Sequence, residues 1–206
     1  LLPVDEVVDH MNFLMMAAHD TITSSATSLI WLLAKNPEWQ DKLRAEITAV
    51  TGGGGDPCYD DLRKLDLVET PYREALRMIP PVPSMPRRAL KAFEFGGYRI
   101  PAGTTVGINT QYVHHMEEHW PEPEKFDPMR FTAEQVRARH KYAWVPFGGG
   151  AHMCLGLHFA YMQVKILLAQ VLTRYSIEIE PGYAPEWKAW PIPQPKDGLK
   201  VTFKSL

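Results

Sequence analysis

The stretch Phe147-Gly148-Gly149-Gly150-Ala151-His152-Met153-Cys154-Leu155-Gly156 constrains the fold more than any other part of the chain. Glycine reaches left-handed backbone conformations without a Cβ penalty and lets a backbone approach a flat surface closely. A glycine run that passes a basic residue, reaches a lone cysteine and enters a long amphipathic pattern specifies a tight loop feeding a helix. Near a helix start, free N–H groups and the helix dipole favour a thiolate over a thiol. The combination suits one sulfur anion held on a turn against a flat, apolar, anionic cofactor. The ordinary reading of a lone cysteine is a small buried hydrophobe. A zinc site fares worse, because it needs about four ligands. His152 and Cys154 supply a pair, and His114, His115, His119, His140 and His158 add no second cluster at finger spacing.

A chain of 206 residues is long enough to bury a core. With 45% hydrophobic and 22% charged residues, its composition is that of an ordinary globular protein. The formal charge of −2 and the lack of a basic run argue against nucleic acid as a partner. Cys58 and Cys154 stand in unlike settings, which argues against a disulfide framework and fits a reducing, cytoplasmic compartment. No secretory signal is visible at Leu1-Leu2-Pro3-Val4-Asp5-Glu6, and the apolar run Phe13 to Ala18 is too short to span a bilayer. The first residue is not methionine, so the expectation is a segment of a longer protein. A membrane anchor has room in that other part.

Residues 5–34 are predicted as one long helix whose middle, from Met11 to Ala18, is apolar on nearly every face, as in a helix buried all round. Asp20, Thr21, Thr23, Ser24 and Ser25 interrupt that pattern. Their hydroxyls can bond back to carbonyls and bend the helix, and broken local rules at a buried helix centre mark function. Asn36-Pro37-Glu38 restarts a helix with a cap residue and proline at the first position, running to about Val50 and stopping at a flexible loop, Thr51–Pro57. Thr70-Pro71 opens a short helix that ends before Pro80. Phe93–Ile100 reads as a hairpin turning at Gly96-Gly97, and Thr104–Asn109 as a further strand. An irregular stretch spans His114–Pro146, followed by a helix after Cys154, a strand at Ile177 and Ile179, and a Pro- and Trp-rich tail. No internal repeat is present. The fold class expected is mainly α with small β-sheets.

Phe147 to Gly156 resembles the heme-binding loop of the cytochrome P450 family, aromatic-x-x-Gly-x-basic-x-Cys-x-Gly, at each fixed position. Glu74-x-x-Arg77, followed by Pro80-Pro81-Val82-Pro83 and by Phe126-Asp127-Pro128-Met129-Arg130-Phe131, resembles further family segments in the expected order. Ala17-Ala18-His19-Asp20-Thr21 is similar to the distal Ala-Gly-x-Asp/Glu-Thr motif, with Ala18 in place of glycine. The resemblance runs over nearly the whole chain and matches the C-terminal half of a bacterial-like member.

The resemblance implies heme b (iron protoporphyrin IX) as cofactor and Cys154 as the axial thiolate on its iron. His152 stands at the position that bonds a heme propionate, Phe147 shields the sulfur, Gly148 belongs to the loop, and Gly156 lets the next helix pass close to the ring. Arg87, ten residues after Arg77 and ten before Gly97, is the preferred second propionate ligand, with Arg88 the competitor. Glu74, Arg77 and Arg130 form a buried ion network that serves as scaffold. Thr21 would hold bound dioxygen and an ordered water, with Asp20 connecting them to bulk protons. Ala17 and Ala18 line the oxygen groove, where the Ala18 methyl narrows it. His19 is expected to face a neighbouring element. His114 and Trp120 are read as structural, and Trp144 as packing near the proximal face.

Met15, Met16, Val82, Met85 and Trp190 fall on segments that face substrate in the family, and their apolar character implies a lipophilic small molecule. The implied reaction is monooxygenation, with O2 and an electron-donor protein (a ferredoxin or flavoprotein reductase) as partners. Arg137, Arg139 and Lys141 are candidates to receive an acidic donor. A peroxygenase or isomerase on the same fold, and an inactive fragment, are the rival readings. The early helices, the first strands and the lid of the family are not matched. The segment alone is therefore expected to expose an apolar face of its long helix and to be inactive.

Overall fold

The computed structural model describes residues 2–53 and 56–206, so Gly54 and Gly55 of the expected glycine loop lie outside the described residues. Helices α1 (Val4–Lys35), α2 (Pro37–Thr51), α3 (Glu69–Met78) and α6 (Leu157–Leu172) carry the fold. Small two-stranded antiparallel sheets fringe them. Strand β1 (Ser84–Arg88) pairs with β4 (Thr105–Asn109), and β2 (Phe93–Phe95) with β3 (Tyr98–Ile100). Strand β5 (Tyr175–Glu178) pairs with β8 (Thr202–Ser205), and β6 (Trp187–Lys188) with β7 (Gln194–Pro195). The short helix α4 (Thr110–Val113) precedes the irregular stretch, and a second, α5 (Ala133–Ala138), forms within it where none was expected. No helix among the described residues is long and apolar enough to cross a membrane.

The core gathers where the helices converge. Leu29 and Leu33 of α1, Leu43 and Ile47 of α2, Ala75 of α3 and Leu172 of α6 are each fully buried. Burying a side chain of this kind is worth about 1.5–3 kcal/mol, so this seam is the main stabilising term. The N-terminal half of α1 departs from expectation. Met11, Phe13, Leu14, Met15 and Met16 are 53–74% exposed, not buried all round, because no described element packs against them. The uncovered apolar face expected of the isolated segment is thus present.

Long-range polar bonds fix the layers. Buried Gln40 donates to the Leu33 and Ile177 carbonyls and accepts from the Ile177 N–H, pinning β5 to the α1–α2 corner. Asn36 sits at the N-cap of α2, yet its side chain donates back to the Leu32 carbonyl instead of capping. Helix α3 begins one residue before Thr70, and Glu46 from α2 accepts the free N–H groups of Leu67 and Val68 at its start. Gly52 closes α2 in the left-handed conformation (φ 71°). The hairpin turns at Gly96-Gly97, both with positive φ, as a two-residue turn of this hand requires. Strand β5 stops at Glu178, short of Ile179.

Candidate heme-binding site

Three-residue turn Gly150–His152 and the left-handed Gly148 (φ 73°) bend the loop so that Cys154 donates its N–H to the Phe147 carbonyl at 2.9 Å. Cys154 is exposed and precedes Gly156, the N-cap of α6, by two residues. A Cβ on Gly148 would stand 3.4 Å from Met85 Sδ and 3.7 Å from the His152 carbonyl, and one on Gly156 3.7 Å from the Cys154 sulfur. These are ordinary contact distances, so Gly148 is required by its left-handed backbone rather than by lack of room. Phe147 lies behind the loop, edge-on to Trp144 and tilted against Tyr161, with centroids at 6.2 and 5.9 Å. Tyr161 in turn meets Tyr72 of α3 edge to face at 5.6 Å. Burial pushes the Tyr72 phenol up to about 12, partly opposed by its hydrogen bond with Ser25 and slightly reinforced by Cys154. Burial also pushes the Tyr161 phenol up, with Arg73 opposing. The pairing of the two tyrosines escaped the sequence reading because they come from different helices.

Beneath the loop lies the ion network. Glu74 and Arg77 are fully buried, and Arg77 donates through Nε (2.7 Å) and Nη2 (2.9 Å) to the two Glu74 oxygens. Arg130 Nε stands 3.3 Å from Glu74 Oε1 without the alignment of a hydrogen bond. Asp127 N–H also donates to Oε1, and Arg77 reaches the carbonyls of His114 and Pro123. The three residues named from sequence thus meet at one carboxylate.

His114 is fully buried and accepts the Val145 N–H at Nε2. Burial, and secondarily the charge of Arg77, pull its imidazole down to about 3. Trp144 donates from Nε1 to the Arg73 carbonyl, and Trp120 packs against Phe131. Arg139 is not a free surface cation. Its guanidinium lies 3.8 Å from the Trp120 ring and donates to the Arg130 carbonyl, whereas Arg137 and Lys141 are exposed. A cavity of about 440 Å³ opens in this irregular stretch beside Arg130 and Arg139, and none of its lining belongs to the cysteine loop.

Along β1, Met85 and Arg87 face inward while Ser84, Pro86 and Arg88 face out. Since Met85 Sδ abuts Gly148, strand alternation turns Arg87 toward the cysteine-loop side. Arg88 faces away, near Gly103. His152 is exposed, and Val82, partly exposed, accepts from Thr110.

On α1, Thr21 donates its hydroxyl to the Ala17 carbonyl at 2.9 Å, and Thr23 bonds back to His19 in the same way. Asp20 bonds to His19 Nδ1 at 2.7 Å, not to Thr21. His19 is 79% exposed, so it faces no neighbouring element, contrary to expectation, because that stretch of α1 is uncovered. Ala17, Ala18, Met15 and Met16 share this open stretch, and Trp190 is exposed at the tip of the β6–β7 hairpin. The structure brings the cysteine loop, β1 and the ion network together. It leaves the distal residues open on their outer side.

An exposed cysteine on a glycine loop, backed by a helical carboxylate–guanidinium network, defines the framework of a heme-thiolate protein. A family model, Cytochrome P450, matches residues 2–203, and the chain belongs to the cytochrome P450 family. It is 38% identical over 201 residues to "Putative cytochrome P450 136" of Mycobacterium tuberculosis, covering 97% of this chain and 40% of that protein. It is 34% identical to "Cytochrome P450 4X1" of Rattus norvegicus, over 95% of this chain and 39% of that one. A solved structure, "Retinoic acid bound cyanobacterial CYP120A1", superposes with a TM-score of 0.92 at 31% identity, covering all of this chain and 47% of that one. The chain thus spans about two fifths of the length of the curated relatives it matches.

Proposed function

We propose that residues 1–206 are the C-terminal, cysteine-bearing portion of one catalytic domain whose N-terminal half is not part of this sequence. The complete protein is a monooxygenase that inserts one oxygen atom from O2 into a lipophilic small molecule, drawing electrons from a ferredoxin or flavoprotein reductase. The observation that carries this reading is the outward-facing Cys154 on its glycine loop, braced through Trp144 and His114 against the helix of Glu74 and Arg77.

Heme b, when bound, supplies dioxygen activation. The residues present fit such a group: an exposed thiol, a tight turn through the left-handed Gly148 that presents it, and a guanidinium on the adjoining strand. Cys154 is the metal ligand, Arg87 and His152 hold the propionates, and Phe147 shields the sulfur from water. Thr21 and Asp20 move the proton, with Ala17 and Ala18 lining the groove beside them. Met15, Met16, Val82, Met85 and Trp190 contact substrate. The cyanobacterial neighbour's title names retinoic acid, which supports a lipophilic substrate class. The donor protein docks on exposed Arg137 and Lys141. Reversing those two charges should raise its apparent KM, and an unchanged value would discard that docking face.

The deciding experiment is a reduced, carbon monoxide-difference spectrum of the full-length protein. A strongly red-shifted Soret band, abolished by Cys154→Ala, is expected. A colourless protein, or a band indifferent to that substitution, would overturn the reading.

The rival is a peroxygenase or isomerase on the same fold, which has less need of a proton relay; the Asp20–Thr21 pair, each now bonded to α1 itself, argues against it. Thr21→Ala should uncouple electron consumption from product in a monooxygenase, and full coupling would favour the rival.

A further inference from the structure

Ala17, Thr21, Ser24, Ser28 and Trp31 recur at alternating steps of four and three along α1, so they form one stripe down the helix. The β6–β7 hairpin runs along this stripe. At its base, Trp187 meets Trp31 edge to face at 5.6 Å. Toward its tip, the buried Ser24 hydroxyl donates to the Pro193 carbonyl at 2.5 Å, and Pro193 is itself buried. From Trp31 to Ser24 is two helical turns, about 10 Å, which sets the hairpin's direction. Its tip, carrying exposed Trp190, therefore points up the stripe toward Thr21, one turn beyond Ser24.

The remaining hydroxyls of this region behave differently. Thr21 and Thr23 bond back to their own helix, and so does Ser28, to the Ser25 carbonyl. Ser25 bonds Ile22 and Tyr72. Ser24 alone of this group reaches the hairpin. Among the described residues it makes the side-chain hydrogen bond that ties α1 to the tip, whose outermost residues, Trp190 and Pro191, are exposed while Pro193 is buried.

We propose that Ser24 is a positioning residue that latches the Trp190–Pro193 tip to α1 and thereby sets how much room a substrate has beside Thr21. The latch rests on the functional reading above for its link to specificity, but its geometry does not depend on the cofactor. Releasing Ser24 frees the tip to swing off the stripe, which should loosen selection by shape and leave binding of small ligands little changed.

The test uses the full-length protein labelled with 5-fluorotryptophan, the Trp190 resonance being assigned by Trp190→Phe. Ser24→Ala should shift or broaden that resonance in heme-free protein. Ser28→Ala, which removes an equally buried serine bonded only within its helix, should leave it in place. In heme-loaded protein, the dissociation constants of lauric acid, retinoic acid and progesterone, read from the ligand-induced Soret shift, should converge severalfold in Ser24→Ala only. Restoration of both signatures by Ser24→Thr would support a hydroxyl latch. A Trp190 signal indifferent to Ser24, or moved equally by Ser28→Ala, overturns the latch. A moved signal with an unchanged ligand ranking overturns the specificity role. Wild-type protein that gives no Soret shift with any of the three counts instead against the proposed function.

Discussion

Val145 donates its backbone N–H to Nε2 of His114 across 2.9 Å, tying the approach to the cysteine loop to the turn after α4. The same histidine offers its carbonyl to Arg77, so one buried residue touches both the loop and the ion network. Because Nε2 accepts, the neutral ring carries its proton on Nδ1, which is buried and without a partner among the described residues.

That arrangement predicts a pH dependence. The imidazole falls from an ordinary 6.5 when unfolded to about 3 when folded, chiefly through burial. Between those values the unfolded chain binds the extra proton. Stability therefore rises with pH across this window and is lost as pH falls from 6.5 toward 3. From pH 7 to pH 5 the loss from this residue is about 2 kcal/mol. Urea midpoints at the two pH values should converge in His114→Gln, which keeps an acceptor for Val145. An unchanged gap would show that His114 does not titrate with unfolding.

Glu74→Gln should be strongly destabilising. It leaves the Arg77 guanidinium buried without its counter-charge, a situation that typically costs about 3–5 kcal/mol. Arg77→Lys loses the two-point contact through Nε and Nη2 and should fall nearly as far. Chemical denaturation of full-length protein measures both, and a loss below about 1 kcal/mol, the range of exposed pairs, would contradict the buried geometry.

Gly148 and Gly150 form a matched pair. Each has a positive φ, 73° and 71°, but only Gly148 has neighbours where a side chain would go. Gly150→Ala should cost about 1 kcal/mol from backbone strain alone. Gly148→Ala places its methyl at ordinary contact distance from the flexible Met85 Sδ and should cost about as much. A clearly larger fall in thermal midpoint for Gly148→Ala, recovered by adding Met85→Ala, would show tighter packing there.

Tyr72 and Tyr161 should resist alkaline ionisation. Burial holds both phenols above the ordinary value of 10, so the neutral forms contribute stability below pH 10 that is lost as pH rises through about 12 for Tyr72. Absorbance at 295 nm during an alkaline titration should show two fewer early-titrating phenols than in urea. Tyr72→Phe and Tyr161→Phe should each remove one late step and leave the early ones unaltered.

Local signals were enough for the parts whose chemistry is local. Gly96-Gly97 between two alternating runs, Pro37 at a first helical position and the spacing from Phe147 to Gly156 each impose a backbone shape through their own residues. The i,i+3 spacing of Glu74 and Arg77 likewise set them on one helix face, and the family resemblance supplied Arg130.

Other features depended on what happens to lie alongside. Nothing in the pattern of α1 distinguishes Met11–Met16, which are open, from Leu29–Leu33, which are buried, because helical periodicity reports a face and not its neighbour. His19 reads as a packed residue until the stretch around it proves uncovered, and Arg139 as a surface charge until Trp120 is found beneath it. Sequence by itself determined the four main helices, the hairpin and the cysteine loop, since propensity, turn chemistry and spacing act over a few residues. Only the tertiary structure decided that Ser24 holds Pro193, that Gln40 pins Ile177 and that Met85 of β1 lies against Gly148. Those contacts join segments up to 169 positions apart, and their geometry exists only once the core has brought the helices together.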